Sequence, residues 1–156
     1  MFLDKKSTIY INKTSLKYYF LAFFFGFIYV YFQNELLNIF DFTYSKNSNL
    51  QDITLIELFS KRNISSLIGI IIIIPISEEL FFRKFIQKNL KNEYGSMIAI
   101  LLATLLFSLG HLPDLYQILL VVFGGLISAI LFNQSKSIGP SFIFHITWNL
   151  SVFILP

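Results

Sequence analysis

Six residues are of types, and at spacings, that could do chemistry together: Glu78, Glu79, Arg83, His111, His145 and Asn149. The two histidines are the only ones in the 156-residue chain. Each stands in a spacing of four, Phe107-Ser-Leu-Gly-His111 and His145-Ile-Thr-Trp-Asn149. Helical residues four apart share a face, so His145 and Asn149 point into the same space. Neighbouring helical residues are about 100° apart, so Glu78 and Glu79 cannot both face one target. Glu79 and Arg83 are four apart with the acid first, the order that pairs better. Exchanging them is expected to restore part of what either single change loses. Glu78 is left without a partner on its own helix, and a carboxylate so placed is a candidate general base.

Taken singly, each feature has a plainer reading. Glu-Glu-x-x-x-Arg on a soluble helix is a solvated ion pair, a histidine at a helix end is interfacial, and a His–Asn pair can be glue between helices. The surroundings change that. Hydrophobic residues make up 55% of the chain and charged residues 13%, against roughly 45–50% and about 25% in soluble domains. Mean hydropathy is +0.67, with 19 Phe and 8 Tyr. Such a chain is neither disordered nor most kinds of soluble enzyme. With no cysteine, thiol catalysis, disulfide scaffolds and cysteine-zinc sites are excluded. Ionisable residues within apolar tracts are costly, and by default they are candidates for function.

Five apolar tracts frame these residues: about Tyr18 to Phe32, a second from Ile64, Met97 to His111, Leu115 to Phe132, and Ile138 to Leu155. A spanning helix needs about 20 residues, so the shorter tracts must borrow neighbours. The expected fold is all-α, a polytopic helical membrane bundle of about five transmembrane helices. Residues 1–63 would form an anchor helix and an extracytoplasmic loop, and residues 64–156 the core. No small-residue cleavage site follows the first tract, where Gln33-Asn34-Glu35 stands, so it reads as an uncleaved anchor. The isoleucines at 70–74 have strand propensity, but the low charge and apolar flanks favour helix. Pro75 reads as a kink, and Gly124-Gly125 as a site of close helix approach.

With the N-terminus in the cytoplasm, nine of the 12 basic residues lie inside: Lys5, Lys6, Lys13 and Lys17, then Arg83, Lys84, Lys88 and Lys91, then Lys136. The positive-inside rule favours that orientation and puts the C-terminus outside. The net charge of +3 is thereby explained without nucleic acid. Helix rise places His111 about 22 Å above the start of its helix at Ser96. Glu78 lies about 18 Å deep if the second helix runs on to Leu90, but only about 6 Å deep if it stops at Phe82. The two can meet only in the longer helix.

In order along the chain, Glu78-Glu79-Leu-Phe-Phe-Arg83, Phe107-Ser-Leu-Gly-His111, the small-residue stretch Gly124-Gly-Leu-Ile-Ser-Ala129 and His145-Ile-Thr-Trp-Asn149 resemble the motifs of the CAAX protease and bacteriocin-processing (CPBP, or Abi) family. The resemblance covers about Ile64 to Leu155 and implies an intramembrane endopeptidase acting on a membrane-embedded or membrane-tethered protein or peptide, with a role in bacteriocin processing or self-immunity. It implies that Glu78 with His111 activates water, and that His145 and Asn149 stabilise the oxyanion. Glu79, Arg83 and Phe107 would support the site. A metal-free mechanism is preferred; in the alternative, Glu78, His111 and His145 ligate a zinc ion at a three-ligand site with an open position.

Relatives of the eukaryotic type carry more helices, so five would leave a shallow cavity open to the cytosol, or one completed by a partner or a second copy in a homo-oligomer. Prenylated substrates are not implied by these motifs. The rival functions are a non-catalytic membrane immunity or partner-binding protein, and a small transporter relaying protons. An internal repeat and paired broken helices, expected of a transporter, are not seen.

Overall fold

The computed structural model describes residues 14–39, 64–111 and 115–154. Lys5, Lys6 and Lys13, and most of the expected extracytoplasmic loop, lie outside these residues. Among the described residues the regular structure is all helical, without strands. Helix α1 is Leu16–Ile39. A second helical run, α2, covers 64–94 and is irregular. Its segments Ile64–Ile68 and Ile74–Glu79 are α-helical, while Gly69–Ile73 and Leu80–Gln87 are wider π-type turns.

The isoleucine run is therefore helix, but not a regular one. A lone strand in an apolar setting leaves its backbone groups unpaired, whereas a helix satisfies its own. Pro75 lacks an N–H and crowds the carbonyl four residues back. The run widens just before it and resumes α geometry with Pro75 in the first turn, and wider turns of this kind absorb such irregularity. The Ser77 hydroxyl donates to the Ile73 carbonyl at 2.8 Å.

Helix α2 continues well past Phe82, as the longer of the two sequence readings requires. The helical stretch Lys88–Leu109 is interrupted at Gly95, which has φ 81° and ψ 170°. That is a positive-φ conformation glycine adopts at little steric cost. The chain reverses there, and α3 (96–109) packs back on α2, with the Phe82 and Phe107 rings 5.2 Å apart and edge-on. Helix α4 is Leu115–Ser135 and α5 is Gly139–Ile154. The turn between them uses Lys136 at φ 54°, and the Ser137 hydroxyl accepts from the Gly139 N–H at 3.3 Å.

The core is aromatic, formed by Tyr29, Phe107, Phe144 and Trp148 with Ala22, Val30, Val121 and Leu131. Close approach depends on glycine. A Cβ on Gly124 would lie 2.5 Å from the Trp148 ring, and one on Gly125 would lie 2.9 Å from Phe107. Helix α1 packs mainly along α5, where a Cβ on Gly26 would lie 2.7 Å from Thr147 Cβ. The outer face is apolar as well, with Phe20 73% and Met97 77% exposed.

Two of the five described helices contain stretches long and apolar enough to cross a membrane, Leu16–Gln33 and Ile118–Ser135. The other three are short or broken into short segments. The π-type turns at Gly69–Ile73 and Leu80–Gln87 break α2 into short regular segments, α3 covers only 96–109, and α5 has 16 residues.

Candidate active site

Glu79, Arg83 and Gln87 recur every four residues on α2, and all three are buried. A buried carboxylate is tolerated only when paired and hydrogen-bonded. Glu79 is both: Arg83 Nε donates to its Oε2 at 3.0 Å, and the Ser128 hydroxyl of α4 donates to the same oxygen at 2.7 Å. On the other oxygen, Oε1 lies 3.1 Å from His145 Nδ1 of α5. The Ser128 oxygen also accepts from Arg83 Nε at 3.3 Å, and the Ser128 carbonyl accepts from Ser141 of α5 at 3.0 Å. One carboxylate thus ties three helices together.

Arg83 has a second kind of contact. Its guanidinium carbon is 5.1 Å from the centre of the Phe107 ring, within cation–π range. Its Nη1 and Nη2 have no hydrogen-bond partner among the described residues, so that ring face is the contact at this end of the group. Phe107 also meets both histidine rings, with centroids 5.0 Å from His111 and 5.7 Å from His145. The aromatic residue of the Phe107–His111 motif is the packing centre of the site.

Glu78 stands apart from that network. Its side chain is 27% exposed where that of Glu79 is 1% exposed, so it opens to the cavity while its neighbour is sealed. It has no partner on α2, as the spacing requires, but its Oε2 is 3.6 Å from His145 Nε2. His145 therefore sits between the two glutamates, an arrangement the one-helix reading of Glu79 with Arg83 does not contain. At the end of α3, His111 Nδ1 lies 3.0 Å from the Phe107 carbonyl. A carbonyl only accepts, so Nδ1 bears the hydrogen and Nε2 has the lone pair in the neutral ring. Asn149 Nδ2 donates to the Ile70 carbonyl at 3.2 Å. That acceptor lies in the widened isoleucine turn, and one amide hydrogen remains.

Glu78, His111, His145 and Asn149 line one cavity of about 260 Å³. The rest of its wall is mainly apolar, from Ile70, Ile74, Leu120, Val121 and Trp148. Two members of the buried hydrogen-bond network were not singled out from the sequence. Ser128 lies inside the small-residue stretch, where it reads as packing. Gln87, whose Nε2 donates to the Ala129 carbonyl at 2.9 Å, is one more step of four beyond Arg83, a signal hidden by doubt over where α2 ends.

Among the described residues, no three His, Cys, Asp or Glu side chains converge as metal ligands do. His145 Nδ1 is directed at Glu79 and His111 Nδ1 at a carbonyl, which leaves Nε2 of each ring for the cavity, the arrangement also found in histidines that bind a metal. Glu78, His111 and His145 are of types that zinc accepts, but they are not drawn together as a ligand set in this structure.

A carboxylate, two imidazoles and an amide thus surround one cavity between apolar helices. Residues 60–151 match the family described as type II CAAX prenyl endopeptidase Rce1-like. This is more than half of the chain, and the chain belongs to that family, whose members are intramembrane proteases. No curated protein and no solved structure matches it.

Proposed function

We propose that the protein is an intramembrane endopeptidase hydrolysing a peptide bond in a membrane-embedded or membrane-tethered protein or peptide, with bacteriocin processing or self-immunity as its setting. One observation supports this most: Glu78, His111, His145 and Asn149, from α2, α3 and α5, line a single cavity with an apolar remainder. His111 Nε2 accepts a hydrogen from water, and Glu78 takes the proton as the water oxygen attacks the carbonyl carbon. The tetrahedral oxyanion receives the free N–H of Asn149 and an N–H from His145 Nε2. The latter donation needs the doubly protonated ring, because Nδ1 is directed at Glu79. When the C–N bond breaks, Glu78 returns the proton to the leaving amine. Preorganised donors of this kind are a large contribution to acyl-transfer catalysis.

The mechanism is metal-free. In proteoliposomes presenting a library of membrane-anchored peptides, wild-type protein should cleave equally with and without a chelator. Loss of cleavage on chelation, restored by added zinc, would establish the metal alternative. Asn149→Ala should lower the rate by about 10²–10³-fold, the usual value of one oxyanion donor. If no anchored peptide is cleaved while the protein still confers protection in cells, it acts as a non-catalytic partner-binding protein.

The five helices cross the membrane with the N-terminus inside, in accord with the basic residues. A cysteine at Asn49 should react with an impermeant reagent from outside, and a cysteine at exposed Lys88 should not. The reverse pattern would overturn both the orientation and a cavity near the cytoplasmic side.

A further inference from the structure

Helix α1 lies outside the family-matched residues, yet it supplies a wall of the cavity. We infer that Gln33 binds substrate, its amide N–H donating to a backbone carbonyl of the peptide beside the bond to be cut. This rests on the peptidase reading above and adds to it a residue and the group it recognises.

Gln33 lines the same cavity as Glu78, His111, His145 and Asn149. Its Oε1 accepts from Trp148 Nε1 at 3.2 Å. An indole N–H only donates, so this bond fixes which end of the amide is which. Gln33 Nε2, with two hydrogens, is the other end, and it has no hydrogen-bond partner among the described residues. Unused donors at the edge of a cavity suit the carbonyls of an extended peptide, which are acceptors of fixed spacing whatever the side chains.

The amide is also well held. Trp148 stacks on His145 with centroids 5.6 Å apart and 29° between planes, and Tyr29 of α1 meets the indole edge-on at 5.0 Å. The Tyr29 hydroxyl donates to the Leu120 carbonyl of α4. Gly124 leaves no room for the indole to move toward α4. Gln33 is therefore attached, through one rigid ring, to a histidine of the site.

Because the contact is to a flanking carbonyl, it is made equally in the bound and transition states. Its loss should raise KM and leave kcat little changed. Gln33→Glu is the sharp variant, since it still accepts from the indole but cannot donate. Its KM for a membrane-anchored peptide in proteoliposomes should rise by about 3- to 10-fold, the value of one ordinary hydrogen bond, with kcat within about twofold. Gln33→Met introduces no charge and cannot donate, and it should show the same rise; it guards against a folding loss caused by the glutamate.

Trp148 is the single tryptophan, so its fluorescence gives a readout independent of turnover. The anchored peptide should change Trp148 emission in the Glu78→Gln protein, and Gln33→Met in that background should weaken binding by the same factor. An unchanged KM and unchanged binding in both variants would overturn the proposal, as would a fall in kcat at constant KM. If wild-type protein cuts nothing but binds the peptide in a Gln33-dependent way, the peptidase reading fails and the assignment of Gln33 stands. Absence of any Gln33-dependent binding refutes the assignment whether or not cleavage occurs.

Discussion

Replacing Glu78 with Gln should slow peptide hydrolysis by about 10²- to 10⁴-fold, the usual consequence of losing a positioned general base. The amount of folded protein should not change. Both expectations follow from where the side chain is. Glu78 opens to the cavity and its one ionic neighbour among the described residues, His145 Nε2, is 3.6 Å away, longer than a hydrogen bond. The buried structure is held instead by the adjacent carboxylate. Glutamine has nearly the same shape, so packing survives and only the ability to take a proton is lost. His145→Ala should cost at least the value of an oxyanion donor, about 10²–10³-fold, and it also removes the ring that Glu79 and Trp148 contact. Single-turnover rates on an anchored peptide, normalised to monodisperse protein, provide the measurement. Full activity in Glu78→Gln would remove this residue from the reaction. Full protection in cells by a variant without hydrolysis would mean that the protein works as a scaffold.

The candidate site was legible in the sequence to the extent that it was written in helical spacing. Four-residue steps put Glu79 with Arg83 and left Glu78 without a partner on its own helix, and the structure has both. Depth counting required α2 to run past Phe82, and it continues to Gly95. What spacing within one helix cannot contain is a contact between helices. His145 was placed with Asn149 because they share a face; that His145 also lies between two glutamates depends on how α5 crosses α2. Ser128 was hidden for the same reason, as a serine among glycines whose hydroxyl is directed at Glu79 only after α4 has docked. The isoleucine turn is a third case. Its β-branched residues carry no signal for a widened helix, and its use, a carbonyl accepting from Asn149, is settled by α5.

Arg83→Ala should act on the fold before it acts on chemistry. It leaves the carboxylate of Glu79 buried with no cation on its own helix, and breaking a buried pair in this way typically costs about 3–5 kcal/mol. That is a large part of the 5–15 kcal/mol by which domains are ordinarily stable. The yield of monodisperse protein and its Tm in detergent should fall together. Arg83→Lys should recover only part, because a compact ammonium cannot reproduce the planar group over Phe107. The double variant Glu79→Gln with Arg83→Ala should be more stable than Arg83→Ala alone, since no uncompensated charge is left; if the two are equal, the pairing is not what Arg83 contributes. The exchange Glu79→Arg with Arg83→Glu, which helical spacing alone would expect to be tolerated, should fail. Ser128 donates to an acid at position 79 and His145 Nδ1 is directed at it, both from other helices. An arginine there would face two groups placed for a carboxylate. Recovery of yield by the exchange would mean that Glu79 and Arg83 act as an isolated pair, and that the ties to α4 and α5 are incidental.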